Sequence, residues 1–277
     1  MRIARNDGAA KAALAAFAAC ALVSPGVLAE AQGAGGDADA LAKQLSNPVA
    51  SLISVPLQLN WDDGLGTGGD GERWLLNVQP VVPISLNDDW NIISRTILPV
   101  IHQDVTPGSS ESGIGDVTQS LFFSPKHPTS SGWIWGVGPA FLLPTASEEV
   151  LGTEQWALGP TAVALKQTQG GWTYGALVNY LVSVAGDDDR ADVNSMFLQP
   201  FLAKALGKGR TLTANFESTY DFDAEQWNAP FNLTFSEVTK IGNQRLSFAF
   251  GARYYLETPD GGADWGLRFV VTLLYPK

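Results

Sequence analysis

The feature that most constrains this chain is a run of short segments, each about ten residues long, in which apolar and polar side chains alternate from residue 51 to Tyr275. Successive side chains on a strand point to opposite faces, so a period of two predicts strands with one greasy face and one wet face. Leu212, Ala214, Phe216, Ser218 and Tyr220 face one way, and Thr213, Asn215, Glu217 and Thr219 the other. Leu246, Phe248, Phe250, Ala252 and Tyr254 repeat the pattern, as do Trp265, Leu267, Phe269, Val271, Leu273 and Tyr275. The strand segments fall at 51–61, 73–85, 90–101, 115–124, 132–143, 156–166, 172–185, 194–205, 211–222, 232–241, 244–256 and 264–275, twelve in all.

The connections between them also alternate. One set is short: 86–89, 125–131, 167–171, 206–210 and 242–243. The other is longer and carries most of the 28 acidic residues, among them Asp62, Asp63, Asp70, Glu72, Asp104, Glu111, Asp116, Glu148, Glu149, Glu154, the run Asp187-Asp188-Asp189, Asp221, Asp223, Glu257 and Asp264. Lys126, Lys166, Lys204, Lys208, Arg210, Lys240 and Arg245 gather at the opposite end. Short turns at one end and long loops at the other, joined by even-numbered strands, predict an all-β fold: a closed antiparallel up-and-down transmembrane β-barrel. Only helices and closed barrels satisfy every backbone polar group in lipid. Trp61, Trp74, Trp156 and Trp265 fall at strand ends beside long loops, and Trp90, Trp133, Trp135 and Trp172 beside short turns, as interfacial girdles require. Trp227 falls in a loop on this reading.

Composition agrees. Charged residues make up 16% of the 277, below the roughly 25% of soluble domains, while 45% are hydrophobic. A net charge of -11 and the lack of a basic patch exclude nucleic acid as a general partner. At the N-terminus, Arg2, Arg5 and Lys11 precede an apolar stretch at 12–23 and the small-residue site Val27-Leu28-Ala29, the order of a secretory signal peptide cleaved after Ala29. The apolar stretch is too short to span a bilayer, and Cys20 inside it reads as a small hydrophobe. The domain organisation expected is thus a signal peptide at 1–29, an N-terminal periplasmic segment at 30–50 that is a candidate plug, and the barrel at 51–277. Asp37 marks a helix start within the segment, ahead of Ala40, Leu41 and Leu45.

Some residues resist the pattern. Pro56, Pro80, Pro83, Pro99, Pro139, Pro160 and Pro200 fall inside strands, where a missing N–H normally counts against a central strand. Glu237 lies on an apolar face, which predicts a bulge or a shifted register in 232–241. The charge-free runs 127–147 and 167–186 are long enough for membrane helices, but their Gly, Pro and turn signals favour strands.

The sequence Asn47-Pro48-Val49-Ala50-Ser51-Leu52-Ile53-Ser54-Val55-Pro56, with Gln79-Pro80-Val81-Val82-Pro83, Gly113-Ile114-Gly115-Asp116-Val117, Leu143-Pro144-Thr145, Leu158-Gly159-Pro160, Ser183-Val184-Ala185-Gly186-Asp187 and Gln199-Pro200, resembles the outer-membrane transporter family associated with the phenol meta-cleavage degradation pathway. The resemblance runs over residues 45–277. It implies a barrel that passes or binds small, often hydrophobic or aromatic compounds, and it brings no catalytic motif. The final strand departs from common barrel endings, so recognition by the barrel insertion machinery is expected to rest on Tyr275.

The residues themselves point to no enzyme, no metal and no cofactor. His102 beside a strand-end Ser is read as a solvated histidine rather than part of a lipase-like pair, 66–71 as a flexible loop, and Asp187-Asp188-Asp189 as a solvated loop rather than a calcium or lipopolysaccharide-bridging site. Function is expected on the lumen face, because an Arg at mid-bilayer costs about 2–4 kcal/mol on the lipid side. That face holds Arg95, Glu217, Arg253, Arg268, Gln58, Asn60, Asn77, Gln79, Asn179 and Asn215, forming either a solute path or an Arg–Glu network that fills the barrel. The expected function is an outer-membrane channel passing small solutes by diffusion; the alternatives are a closed barrel with a structural, adhesive or ligand-binding role at the cell surface, and a soluble periplasmic β-protein with its greasy faces turned inward. The partners implied are outer-membrane lipid, lipopolysaccharide, the insertion machinery and a small solute.

Overall fold

A computed structural model of the protein describes residues 35–105 and 110–276. The expected signal peptide and residues 30–34 of the following segment lie outside the described residues. The described chain opens with helix α1 (Gly35–Leu45), which carries Asp37 in its first turn and Lys43 in its last, the signs that suit a helix dipole. Strands follow at β1 (Ile53–Leu65), β2 (Gly71–Val78), β3 (Val81–Ser85), β4 (Trp90–Asp104), β5 (Glu111–Ile114), β6 (Val117–Pro125), β7 (Trp133–Leu143), β8 (Gln155–Gln167), β9 (Trp172–Gly186), β10 (Asn194–Gly207), β11 (Arg210–Phe216), β12 (Ser218–Asp221), β13 (Gln226–Asn228), β14 (Pro230–Ile241), β15 (Gln244–Tyr255) and β16 (Trp265–Tyr275). Four consecutive pairs, β2 with β3, β5 with β6, β11 with β12 and β13 with β14, are halves of single staves, so the sheet is a twelve-stave antiparallel barrel. It closes where β16 pairs β1, from Ile53↔Tyr275 to Asp63↔Trp265.

The charge-free runs are strands β7 and β9, and among the described residues no helix is long and apolar enough to cross a membrane. Glu237 does not bring the expected bulge. Strand β14 pairs β15 without a shift from Pro230↔Tyr255 to Ile241↔Gln244, and the cross-strand neighbour of Glu237 on β11 is Arg210, near the short-turn end. An opposite charge beside it lets the register stand. Trp227 is also on a strand, β13, where it faces Tyr220 with ring centroids 4.8 Å apart.

Two of the in-strand prolines have a physical explanation. Pro139 and Pro160 sit opposite each other on β7 and β8. On its other side, each interrupts the ladder: β6 and β7 are unpaired between Ser120↔Ala140 and Phe123↔Val137, and β8 and β9 between Leu158↔Val182 and Thr161↔Asn179. The missing N–H groups therefore point at gaps rather than at broken bonds. A glycine precedes each proline, and a Cβ at Gly138 or Gly159 would collide with the carbonyl oxygen of Leu121 or Tyr180.

Burial decides which face is inside. Val137, Leu158, Leu202, Leu212, Leu233, Phe235, Phe250 and Phe269 are exposed on the outer wall, while Asn60, Asp62, Thr161, Asn232, Arg253 and Arg268 are buried within. This is the reverse of a soluble sandwich and overturns the reading with greasy faces inward. Trp61 stacks near Trp74 and Trp265 at the long-loop end, with centroids 6.2 and 5.1 Å apart. At the short-turn end Trp90 meets Trp135 at 5.8 Å, and Lys204 lies 4.8 Å over the Trp172 ring. The lumen is apolar near the short turns. There Val49, which follows α1, packs with Ile93, Phe122, Val163, Leu165 and Leu177. Beside this layer, Leu41 and Ala42 of α1 pack on Leu52, Val238 and Leu274.

Candidate functional site: the barrel lumen

The ten lumen residues expected from the sequence face inward: the registers put eight of them on the side of the buried polar set, and Gln79 and Glu217, which fall in breaks between strands, meet Arg95 and Arg268 there. They fall into two groups on opposite walls. On the wall made by β1, β2, β11 and β14–β16, side chains tie to one another across strands. The Arg268 guanidinium donates from Nε to Asn60 Oδ1 at 2.7 Å and from Nη1 and Nη2 to the two oxygens of Glu217 at 2.8 and 2.7 Å. Such bidentate pairing fixes geometry as well as charge. Arg73 donates to Asp62 Oδ2 at 3.0 Å, Arg253 approaches Asp62 Oδ1 at 3.5 Å, and Arg253 Nη2 donates to the Tyr255 hydroxyl at 3.0 Å. Gln199 reaches Glu217 at 3.4 Å from the neighbouring stave. Asn215 lies opposite Asn232, which lies opposite Arg253, and Asn77 lies opposite Gln58.

This wall contains residues that the sequence reading assigned elsewhere. Asp62 was counted with the acidic loops, but β1 runs on to Leu65, and Asp62 is fully buried inside the barrel as the partner of two arginines. The inward alternation Gln58, Asn60, Asp62 was the available signal. Arg73 and Tyr255 lie within the expected strands 73–85 and 244–256, in step with the inward Asn77 and Arg253, and the same alternation points to them.

The opposite wall is open. A cavity of about 590 Å³ lies against Arg95 and Ile97 of β4, Thr118 of β6, Leu142 of β7, Asn179 and Leu181 of β9, Ser195 and Phe197 of β10 and Thr219 of β12, with Arg190, Asp192 and Asp221 at its rim. It faces the long loops. Arg95 donates to Gln79 Oε1 at 3.0 Å, and the Asn179 side-chain oxygen accepts from the Thr161 hydroxyl. Two residues further along the same strands, about 7 Å deeper at the rise of a strand, stand Ile93 and Leu177 of the apolar layer that contains Val49. That layer, to which the N-terminal segment contributes Val49, lies on the short-turn side of the cavity.

The long-loop end is held by its own polar contacts. Asp116 accepts from the backbone N–H groups of Ala146 and Thr153 and from the Thr153 hydroxyl, at 3.1, 2.6 and 2.8 Å. Arg190 donates to the Glu149 and Gly152 carbonyls and lies 3.4 Å from Glu154. Within the acidic run, Asp187 Oδ1 accepts from the Asp189 N–H at 2.9 Å. On the outer wall, His102 Nδ1 is 2.7 Å from Ser112 Oγ across β4 and β5, so His102 is paired where a solvated histidine was expected.

The fold has known counterparts. It is similar to the COG4313 outer membrane channel from Pseudomonas putida F1, with 14% identity, a TM-score of 0.62, and coverage of 81% of this chain and 96% of the other. It is also similar to outer membrane phospholipase A from Escherichia coli, with 13% identity, a TM-score of 0.49, and coverage of 80% and 90%. Among curated proteins, none matches the sequence significantly. The family model described as "Putative MetA-pathway of phenol degradation" matches residues 65–277, well over half of the chain, and the chain belongs to that family.

Proposed function

We propose that the protein is an outer-membrane channel that admits small, mainly apolar solutes from the cell exterior, and that it is not an enzyme. The observation that carries this reading is a lumen cavity with mixed polar and apolar walls on the long-loop side, and an apolar layer that includes Val49 two residues further along β4 and β9. Pockets of roughly 300–1,000 Å³ suit small organic molecules. The apolar outer belt and the two tryptophan girdles support residence in a bilayer, with lipopolysaccharide around the acidic loops after β16 and Tyr275 have been read by the insertion machinery. The described part of the N-terminal segment, residues 35–50, acts as the plug: α1 and Val49 cover the short-turn end, and a solute crosses when they withdraw. Arg95 and Asn179 belong to the solute path, whereas Glu217, Arg253, Arg268, Asn77, Gln79 and Asn215 brace the wall.

Planar-bilayer conductance tests this. The refolded chain lacking residues 1–29 is expected to give small or infrequent channel events, and the chain lacking 1–50 larger and sustained ones. Silence from both, in protein whose gel mobility shows a folded barrel, overturns the channel and leaves a closed surface barrel with a structural, adhesive or ligand-binding role.

A further inference from the structure

We infer that Arg95 is the anchor of a binding site for a small monocarboxylate with an apolar body. The inference rests on the channel reading in taking the cavity as the entry for solute. Four of the described arginines project into the lumen. Three of them, Arg73, Arg253 and Arg268, stand within 3.5 Å of a carboxylate, supplied by only two acids, Asp62 and Glu217. The hydrogen bond of Arg95 goes instead to a neutral amide, Gln79, at 3.0 Å, and its guanidinium borders the cavity.

A guanidinium presents five donors in a planar fork that matches a carboxylate. Asn179, with its oxygen engaged by Thr161, adds an N–H donor from the neighbouring wall. Around these donors stand Ile97, Leu181 and Phe197, which favour an apolar body over a polar one. The rim carries Asp192 and Asp221 beside one cation, Arg190, which is engaged by the Glu149 and Gly152 carbonyls and by Glu154; with the loops beyond acidic, a dianion meets more repulsion on entry than a monoanion does. Phosphate, which has no apolar part, fits neither the walls nor the rim.

Titration calorimetry on the refolded protein in detergent, with benzoate, benzyl alcohol and inorganic phosphate as probes, tests the site. Benzoate is expected to bind at least about tenfold more tightly than benzyl alcohol, the worth of a charge-assisted hydrogen bond, and phosphate not to compete. In Arg95→Gln the preference for benzoate is lost, and in Arg95→Lys part of it remains. Equal binding of benzoate and the alcohol by the unaltered protein, retention of the preference in Arg95→Gln, or displacement of benzoate by phosphate each overturns the inference. The comparison of probes on the unaltered chain needs no variant to fold. Benzoate binding without conductance supports the site and removes the channel; conductance without benzoate preference does the reverse.

Discussion

The two walls of the lumen are built from the same kinds of residue and do different things with them. On the wall of β1, β2 and β14–β16, Arg268 spends its donors on Glu217 and Asn60, and Asp62 lies between Arg73 and Arg253. On the wall of β4, β9 and β10, Arg95 is held by an amide and looks onto open space. A buried charge is tolerated when an opposite charge stands beside it, so the first wall is held together by its ion pairs, even though Arg253 Nε and Nη1 and both side-chain polar atoms of Asn232 have no hydrogen-bond partner. The second keeps an arginine whose charge has no carboxylate in hydrogen-bond contact. The difference shows that an arginine inside a barrel says little by itself; what matters is whether a carboxylate stands beside it.

The same substitution on the two walls should therefore have very different costs. Arg268→Gln leaves Glu217 without its bidentate partner, and a loss of about 3–5 kcal/mol is expected, seen as a lower urea midpoint for unfolding in lipid vesicles. A loss no greater than that of Arg95→Gln would erase the distinction between the walls. Next in size is Val49→Asp, which puts a carboxylate among Ile93, Phe122 and Leu165, all fully buried. The cost, on the order of several kcal/mol for an unpaired buried ion, is expected to expel the segment rather than unfold the barrel, so conductance rises while the barrel's heat-modifiable gel mobility is kept. Smallest is Arg95→Gln itself: no acid is orphaned, and stability should stay within about 1 kcal/mol of the parent, as for one exchanged hydrogen bond.

The staves were legible from sequence because alternation and turn chemistry are local: segments such as 244–256 and 172–185 lie within a residue of β15 and β9. Alternation alone does not give the direction of the faces, since it is the same whether the greasy side meets lipid or a core; the tryptophan girdles and the cost of an arginine in lipid supply it. Pairings inside the lumen were less legible still. Arg268 meets Asn60 across 208 positions of chain and Glu217 across 51, and no pattern along the sequence announces either. Asp62 shows how a sign can mislead: an acid near a loop was read as part of a collar, although its even spacing from Gln58 and Asn60 placed it inside. The prolines became intelligible only once Pro139 and Pro160 were seen to face each other.

The seam between β1 and β16 has a consequence for assembly. Every other stave neighbours one close to it in the chain and can form as a hairpin as soon as both halves are present, but this seam joins residues at the two extremes of the described barrel, Ile53 with Tyr275. Until it closes, two full edges of N–H and C=O groups have no partners, a state that hydrocarbon does not tolerate and that invites pairing with other chains. Completion must therefore be close to all-or-none: a barrel stalled one stave short is an adhesive sheet in search of an edge, and the last strand to be made is the one that ends that hazard.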